Sequence, residues 1–432
     1  MTMGKRRWVW GCLMLMLVFG ACEWTSPTYP TQRPPLPTAR RVTPLQSATP
    51  QPTLSPTPWP TATITPEPAP HGLVYQVLPI RAEVIPGQPL WLQTTTDGTL
   101  WLVTDKAVLR LRTDQKWWLP YLQGYPGKVI GIDDRWRVWV WDEEAQEVRC
   151  WDSNNWTHFG KDQGWLPVQG EVRPHLWTDA TGGLWVMTDG DVRRLDGSRW
   201  SVYTPSSLGM KEVGAEETLT LQLIYWPERK QMWLGSCVWA GPQAVRGAGL
   251  RWFDGKDWQP EPALEQECVL NMAVAQGRLW LAGMGTVYVS SLTEQGAFEK
   301  QRIQTGPSGL KPAYVLDFAF AQDGSAWGVV ALCGGASCDS VRAVYRLRDD
   351  GEWQALGEVN PFLIQVVHNG LDDSIWALGQ DRLYRYPVGG DGFQTLPPLH
   401  MIMVTEDQHS GQVWVLAVEN KQPGLWSLGK EE

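Results

Sequence analysis

The chain has 432 residues, a formal net charge of −9 and 28 tryptophans. The acidic balance, without a basic stripe along the sequence, argues against nucleic acid as a partner. The six histidines and seven cysteines form no recognised metal-ligand spacing, so we expect neither a metal nor a cofactor.

The first 22 residues have the pattern of an export signal. Three basic residues precede an apolar stretch over residues 8–19, which is too short for a typical membrane span. The stretch runs into Gly20-Ala21-Cys22, which resembles a bacterial lipobox and predicts lipid attachment at Cys22. An ordinary signal peptide and an uncleaved anchor are the alternatives. We therefore expect the protein outside the cytoplasm, lipid-anchored at the surface of a bacterial cell envelope.

Residues 23–70 differ sharply in composition from the rest of the chain. They contain 14 prolines and 11 threonines and almost no apolar periodicity. Such a segment buries too little apolar surface to offset the entropy lost on ordering. It predicts a disordered spacer that holds the folded part away from a membrane.

A tryptophan phrase recurs along the remaining chain, residues 71–432. Each copy has a turn with glycine or aspartate, then an apolar-Trp-apolar strand, and successive copies are 38–49 residues apart. Further alternating runs and Asp-Gly turns in each repeat complete four short strands. A period of this length built from strands is typical of propeller blades, so we predict an all-β propeller. The repeated tryptophans are Trp101, Trp139, Trp185, Trp233, Trp280, Trp327, Trp376 and Trp414.

The repeats resemble the two-component regulator propeller repeats of sensor ectodomains and related exported proteins. The resemblance covers roughly residues 85–430 and implies a sensor-like propeller that binds a ligand. The best copy runs through Gly309-Leu310, Asp323-Gly324, Ala326-Trp327-Gly328, Tyr345-Arg346-Leu347 and Trp353.

The two ends of the repeat region predict how the ring closes. The eighth repeat lacks a fourth, outer strand before the chain ends, and a strand-like run at residues 73–80 precedes the first repeat. We expect this run to complete the last blade, because a closed ring leaves no exposed sheet edges. Eight blades result, with seven as the alternative if the short second repeat is not a full blade.

Aspartates recur in the turns before the tryptophan phrases. Carboxylates at such positions are possible catalysts, but their recurrence in equivalent turns favours capping of backbone amides. They are Asp97, Asp179, Asp323, Asp373 and Asp407.

Five cysteines lie beyond the signal region. Cys333 and Cys338 enclose a four-residue loop and are predicted to form a disulfide in an oxidising compartment. Cys237 and Cys268, in successive repeats, are a second candidate pair. Cys150 is then the one cysteine beyond the signal region without a candidate disulfide partner.

Departures from the repeat indicate the binding face. Residues 236–249 and 332–341 are predicted to be inserted loops between second and third strands, on the same face as the long loops between blades. Loops displayed by a rigid scaffold carry most binding sites. The candidate exposed aromatics on this face are Trp165, Trp239 and Tyr314.

No catalytic signature appears in the sequence, neither a Gly-x-Ser-x-Gly elbow nor a phosphate-binding loop. We therefore expect a non-enzymatic, monomeric module that binds an unidentified protein, peptide or glycan, either as a sensor or as a scaffold. The alternatives are a propeller-fold lyase or glycosidase acting on a polysaccharide or peptide, and an envelope assembly lipoprotein.

Overall fold

A computed structural model of the chain describes most of the repeat region. The described residues are 78–79, 87–112, 117–168, 170–211, 213–214, 216–240, 245–291, 297–306, 309–334, 337–356, 363–369, 373–379, 383–386, 394–395, 400–406, 413–419 and 422–428. Cys22, the segment 23–70 and Asp407 lie outside them, so the predictions made for these residues stay predictions.

The described part of the chain is almost entirely β-structure. Its first strands are β1 (Leu78–Pro79), β2 (Pro89–Thr94), β3 (Leu100–Thr104), β4 (Ala107–Arg112), β5 (Trp117–Gln123), β6 (Lys128–Ile132), β7 (Val138–Asp142), β8 (Glu147–Trp151) and β9 (Trp156–Phe159). There follow β10 (Trp177–Thr178), β11 (Leu184–Met187), β12 (Val192–Asp196), β13 (Arg199–Tyr203), β14 (Thr218–Trp226), β15 (Gln231–Trp239), β16 (Val245–Phe253) and β17 (Trp258–Pro260). Next come β18 (Asn271–Ala275), β19 (Arg278–Gly283), β20 (Thr286–Ser290), β21 (Phe298–Ile303), β22 (Lys311–Phe320), β23 (Ala326–Gly334), β24 (Ser337–Leu347) and β25 (Glu352–Ala355). The last strands are β26 (Leu363–Asn369), β27 (Ser374–Gly379), β28 (Leu383–Tyr386), β29 (Gln394–Thr395), β30 (His400–Glu406), β31 (Val413–Glu419) and β32 (Gln422–Leu428). Two short 3-10 helices occur, at Lys161–Gln163 and Pro262–Leu264.

The strands form antiparallel meanders, as the repeats predict. Six sheets have four strands each. The seventh sheet has eight strands, because parallel pairing of β21 with β25 joins β18–β21 to β22–β25. First strands of neighbouring meanders contact one another, for example β14 with β18 and β18 with β22. This is the arrangement of a β-propeller, so the predicted fold is confirmed.

The two ends of the described chain lie close together. In β1, Leu78 pairs with Leu425 and Pro79 with Gly424 of β32, in the sheet that also holds β31 and β30. The hydroxyl of Thr94 in β2 donates a hydrogen bond of 2.7 Å to the carbonyl oxygen of Glu406 in β30. The first and last meanders are therefore in direct contact.

The repeated tryptophan has a recurring environment within its own meander. On four second strands it stands directly opposite an arginine of the third strand, and in three of them the guanidinium lies near the indole ring. The pairs are Trp101–Arg110, Trp185–Arg194, Trp327–Arg346 and Trp376–Arg385. The arginine carbon Cζ is 5.6, 5.1 and 5.6 Å from the ring centre in the last three.

The turn aspartates cap backbone amides, which confirms their predicted structural role at three positions. Asp179 accepts hydrogen bonds from the amides of Thr181 and Gly183, each at 2.9 Å. Asp97 and Asp323 accept in the same way from the amides two residues on, Thr99 and Ser325. Asp373 differs, because it has a φ of +59° and accepts from the Gln322 amide and a ring nitrogen of His368.

Apolar side chains fill the spaces between neighbouring sheets, where large aromatic rings pack efficiently. Trp165 belongs to this core, with only 1% of its surface exposed, which corrects the expectation of an exposed aromatic. Its ring centre lies 4.8 Å from that of Trp200 and 5.4 Å from that of Trp141. The guanidinium of Arg193 lies 4.2 Å above it.

The two predicted insertions are strands for most of their length. β14, β15 and β16 have nine residues each, and β22, β23 and β24 have ten, nine and eleven. The strands between them, β18 to β20, have only five or six. Much of each insertion continues the hairpin ladder instead of forming a loop, with pairs such as Trp239–Val245 and Leu332–Val341, although each ladder has a register shift within the insertion.

Of the cysteines, Cys237 and Cys268 form a disulfide that links β15 to the segment leading into β18. Cys333 is also disulfide-bonded, but the side chain of Cys338 lies outside the described residues, so their pairing stays a prediction. Cys150 is a buried free thiol. Burial raises its pKa to about 12.

Within the described residues, no helix has both the length and the apolar character needed to span a bilayer.

Candidate functional site

A cleft of about 560 Å³ opens where the first strands of three consecutive meanders begin. The long strands of the β14–β17 sheet and the β22–β25 meander form its two walls, and the entry to the shorter β18 lies between them. A space of this size is typical of small-ligand sites. Its lining residues are Thr218, Thr220, Gln222, Trp239, Leu270, Asn271, Tyr314, Val315 and Leu316.

Alternation along β14 gives the cleft its polar wall. Successive side chains of a strand point to opposite faces. Leu219, Leu221 and Leu223 are buried against the preceding sheet, and their neighbours are more exposed. The residues between these leucines therefore turn hydroxyl and amide groups toward the cleft.

Two of the three predicted aromatics meet in this cleft. The rings of Trp239 and Tyr314 pack edge to face, with centres 6.1 Å apart and planes at 67°. The indole Nε1 of Trp239 donates a 3.2 Å hydrogen bond to the hydroxyl oxygen of Thr220, which fixes the ring against β14. Tyr314 comes from β22, so the pair bridges the two walls.

The floor of the cleft is held by backbone and disulfide links. The side-chain nitrogen Nδ2 of Asn271 donates a 2.7 Å hydrogen bond to the carbonyl oxygen of Leu316, which joins β18 to β22. On the other side, the amide of Val269 donates to the carbonyl oxygen of Ser236 at 3.2 Å. The disulfide between Cys237 and Cys268 packs in one cluster with Leu270, and Trp239 packs against that cluster. The floor is thus attached to both walls.

Asp317 directly follows the lining residue Leu316 on β22 but is not itself part of the lining. Burial raises the pKa of its carboxyl to about 7, and hydrogen bonds from the backbone amides of Val366 and Phe318 act in the opposite direction. The bond from Val366 to Oδ2 measures 3.0 Å and joins β22 to β26. Perturbed acids occur at functional sites and also at structural links, and the hydrogen bond from Val366 gives Asp317 a structural link between two sheets.

Sequence reasoning found the two aromatics but missed their polar partners. Thr218, Gln222 and Asn271 carry no motif, and only the polar alternation on β14 could have indicated them. The described residues contain no group of three His, Cys, Asp or Glu side chains able to hold a metal. A second cavity beside Trp226 has a volume of only about 10 Å³, which is room for about one water.

No protein-family model matches the chain, and no curated protein matches it in sequence. Among solved structures, it is similar to the Dos1 propeller, with a TM-score of 0.55, 10% identity, and coverage of 80% of this chain and 93% of that one. Two extracellular domains of hybrid two-component systems from B. thetaiotaomicron also match, at TM-scores of 0.32 and 0.29 and 11% identity. The matches cover 80% and 83% of this chain, which spans only 57% and 60% of those domains' length. What the Dos1 propeller shares with this chain is the β-propeller fold.

Proposed function

We propose that this chain is a non-enzymatic binding module, which recognises a ligand in the cleft between the β14–β16 and β22–β24 hairpins. The observation that carries the proposal is the convergence of Trp239 and Tyr314 over a floor that is fixed to both walls. Aromatic anchors in a preformed, rigid cleft supply binding energy at little entropic cost.

The chemistry of the lining supports binding rather than catalysis. The described lining residues include no carboxylate, imidazole, ammonium or guanidinium group. General acid–base catalysis usually needs such a group within hydrogen-bond reach of the reacting atoms. Uncharged hydroxyl and amide groups beside aromatic rings can instead orient a ligand without transferring protons to it.

A glycan and peptide array tests this function. We expect a ligand whose binding falls at least tenfold in Trp239→Ala and Tyr314→Ala. Trp156→Ala is the matched control, because Trp156 is also partly buried but lies in β9, in a different sheet. Binding that all three variants reduce equally, or that none reduces, would exclude the cleft as the site.

The enzymatic alternative would use Asp317, the acid that follows the lining residue Leu316 in sequence and whose pKa burial raises to about 7. A lyase or glycosidase would convert an array ligand into products, and Asp317→Asn would abolish the conversion without abolishing binding. Bound ligand recovered unchanged after prolonged incubation would argue against this alternative.

We also propose that the protein is exported and tethered through a lipid on Cys22, with residues 23–70 as the spacer. The support is the signal-like pattern of residues 1–22 and the proline-rich composition that follows. Cys22→Ser should release the protein into the soluble fraction or block its processing. Unchanged membrane retention with unchanged processing would contradict a lipid anchor.

The proposed ring has eight blades, and β1 closes it as the outer strand of the last one. The described strands divide into eight meanders when the eight-stranded sheet is counted as two. The pairing of β1 with β32 and the contact of β2 with β30 support the closure.

A further inference from the structure

The lining of the cleft restricts the charge of its occupant. In the part of the chain that the structure describes, the lining has one indole, one phenol ring, aliphatic side chains and uncharged amides and hydroxyls. A charged group buried there would lose hydration without gaining a counter-charge, at a considerable free-energy cost. The cleft therefore favours an uncharged occupant.

The polar wall of the cleft has a regular spacing. Thr218, Thr220 and Gln222 occupy alternate positions of β14 and share its cleft face. Side chains two residues apart on a strand are separated by about 6.8 Å, so the three polar groups form a row roughly 14 Å long. An extended peptide repeats over the same distance, because alternate residues turn their backbone N–H and C=O groups to the same edge.

The groups of this row can both donate and accept hydrogen bonds. The Gln222 side chain is only partly buried, and its amide makes no hydrogen bond to any residue that the structure describes. A primary amide carries a donor and an acceptor side by side, as the N–H and C=O groups of one extended residue do. The Thr220 oxygen accepts from Nε1 of Trp239 at 3.2 Å, which leaves its O–H to donate. The row therefore complements the backbone edge of an extended peptide.

The two aromatic rings add a place for one side chain of such a peptide. Trp239 and Tyr314 meet with ring planes at 67° and ring centres 6.1 Å apart, so they form a corner of the lining and not a flat platform. The side chains of an extended peptide stand at right angles to its hydrogen-bonding edges. A peptide that runs along β14 can therefore place an apolar side chain in this corner while its backbone contacts the polar row.

We propose that the cleft binds an extended, uncharged peptide segment of a partner protein, which lies along β14 and places an apolar side chain against Trp239 and Tyr314. This inference rests on the proposed binding function of the cleft, and names the class of its ligand. The two-residue spacing of the row and the adjacent donor and acceptor of Gln222 favour a peptide over a glycan.

The test titrates the full chain against synthetic peptides by fluorescence polarisation. The probe is a blocked, fluorescein-labelled peptide of alternating valine and threonine, about nine residues long, because β-branched residues favour the extended conformation. We expect saturable binding, and at least tenfold weaker binding when aspartate replaces each threonine. N-methylation of the backbone amides, which removes the N–H donors without adding charge, should weaken binding to the same extent. Absence of saturable binding to the unmodified probe, or equal affinity for all three peptides, would overturn the inference.

Variants of the chain locate the binding. Gln222→Glu places a charge in the uncharged cleft with almost no change of shape, and should weaken binding of the valine–threonine peptide at least tenfold. Gln231→Glu is the matched control, because Gln231 is also partly buried but begins β15 at the end opposite Trp239. Gln222→Met removes the amide without adding a charge, and should weaken binding about threefold to tenfold even if Gln222→Glu fails to fold. Equal affinities of the Gln222→Met and Gln231→Glu variants would overturn the proposed location.

The outcomes also separate this inference from the proposed function. If the chain binds a neutral oligosaccharide of the array through Trp239 and Tyr314 but not the valine–threonine peptide, the peptide inference is wrong and the binding function stands. If neither the peptide nor any array ligand binds, both proposals fail.

Discussion

At the scale of single residues, one buried carboxylate can organise a whole hairpin turn. Asp179 accepts from two backbone amides, from the indole Nε1 of Trp185 at 2.8 Å and from Nε of Arg194 at 2.9 Å. Burial acts to raise the pKa of Asp179, but the hydrogen bonds from Thr181, Trp185 and Arg194 together hold it below its usual value. The same carboxylate therefore caps the turn and fixes both members of the Trp–Arg pair.

We predict that Asp179→Ala lowers the free energy of unfolding by about 2–4 kcal/mol, because it leaves buried donors without an acceptor. Asp196→Ala is the matched control, since Asp196 pairs with the same Arg194 at 3.1 Å but has a side chain that is 71% exposed. Its loss should cost less than about 1 kcal/mol. Denaturant unfolding of both variants measures the difference, and similar losses would show that the turn does not depend on the buried acceptor.

Asp317 gives a prediction about pH. Its pKa is about 7 in the folded protein and near the ordinary value of 3.8 when unfolded, so the folded state retains a proton that the unfolded state releases. The neutral form contributes full stability below about pH 4, and this contribution is lost as the pH rises to about 7. We therefore expect a melting temperature that falls across this range, and a smaller fall in Asp317→Asn. Thermal melts at pH 5 and pH 8 suffice, and an identical fall in both proteins would contradict the assignment.

At the scale of elements, the cleft forms where neighbouring meanders differ in strand length. The long hairpins of β14–β16 and β22–β24 flank the short β18–β20, and a cleft results without any separate loop domain. The disulfide fastens the long β15 to the segment before β18, and closes a loop with a sequence separation of 31 residues. It thereby limits how far the wall that carries Trp239 can move.

Removing this disulfide should lower the free energy of unfolding. For a loop of this length, chain entropy predicts a loss of about 3–4 kcal/mol in Cys237→Ala with Cys268→Ala, together with faster amide hydrogen exchange in β15 near Trp239. Cys150→Ala is the control for loss of a buried cysteine without loss of a link. Unchanged exchange in β15 would show that the ladder alone holds the wall.

Peptide mapping of unreduced, alkylated protein checks the thiol assignments. We expect linked peptides for Cys237 with Cys268 and for Cys333 with Cys338. Cys150 should stay unalkylated in the native protein at pH 8, because its pKa of about 12 leaves almost no thiolate. Free thiols at Cys333 and Cys338 would remove the predicted short-loop disulfide.

At the scale of the whole molecule, the last sheet obtains its fourth strand from the other end of the chain. β32 would otherwise present an unpaired edge, and such edges invite association. The core cluster that includes Leu92 of β2 and Trp414 of β31 adds apolar contact between the first and last meanders. Contact between the first and last meanders thus depends on residues far apart in sequence.

A chain that begins at Gln88 should accordingly aggregate, or melt far below one that begins at His71, because it lacks β1. Differential scanning calorimetry with light scattering distinguishes the two. Equal melting temperatures and equal solubility would contradict closure by β1.

The sequence by itself determined the fold class, the strand order within each repeat and the capping role of Asp97, Asp179 and Asp323. These features are local: alternation, Asp-Gly turns and a fixed period act within a single hairpin and recur in every copy. It also placed Trp239 and Tyr314 on a candidate binding face, because both lie in or near segments that depart from the repeat.

Only the tertiary structure decided which side chains form the site. Trp165 is a core residue because Trp200 and Arg193, from the next sheet, cover it, and no local pattern distinguishes it from Trp239. The position of Gln222 in the cleft lining and the raised pKa of Asp317 likewise depend on strands that are distant in sequence. Burial and electrostatics are sums over spatial neighbours, and those neighbours are set when the meanders pack against one another.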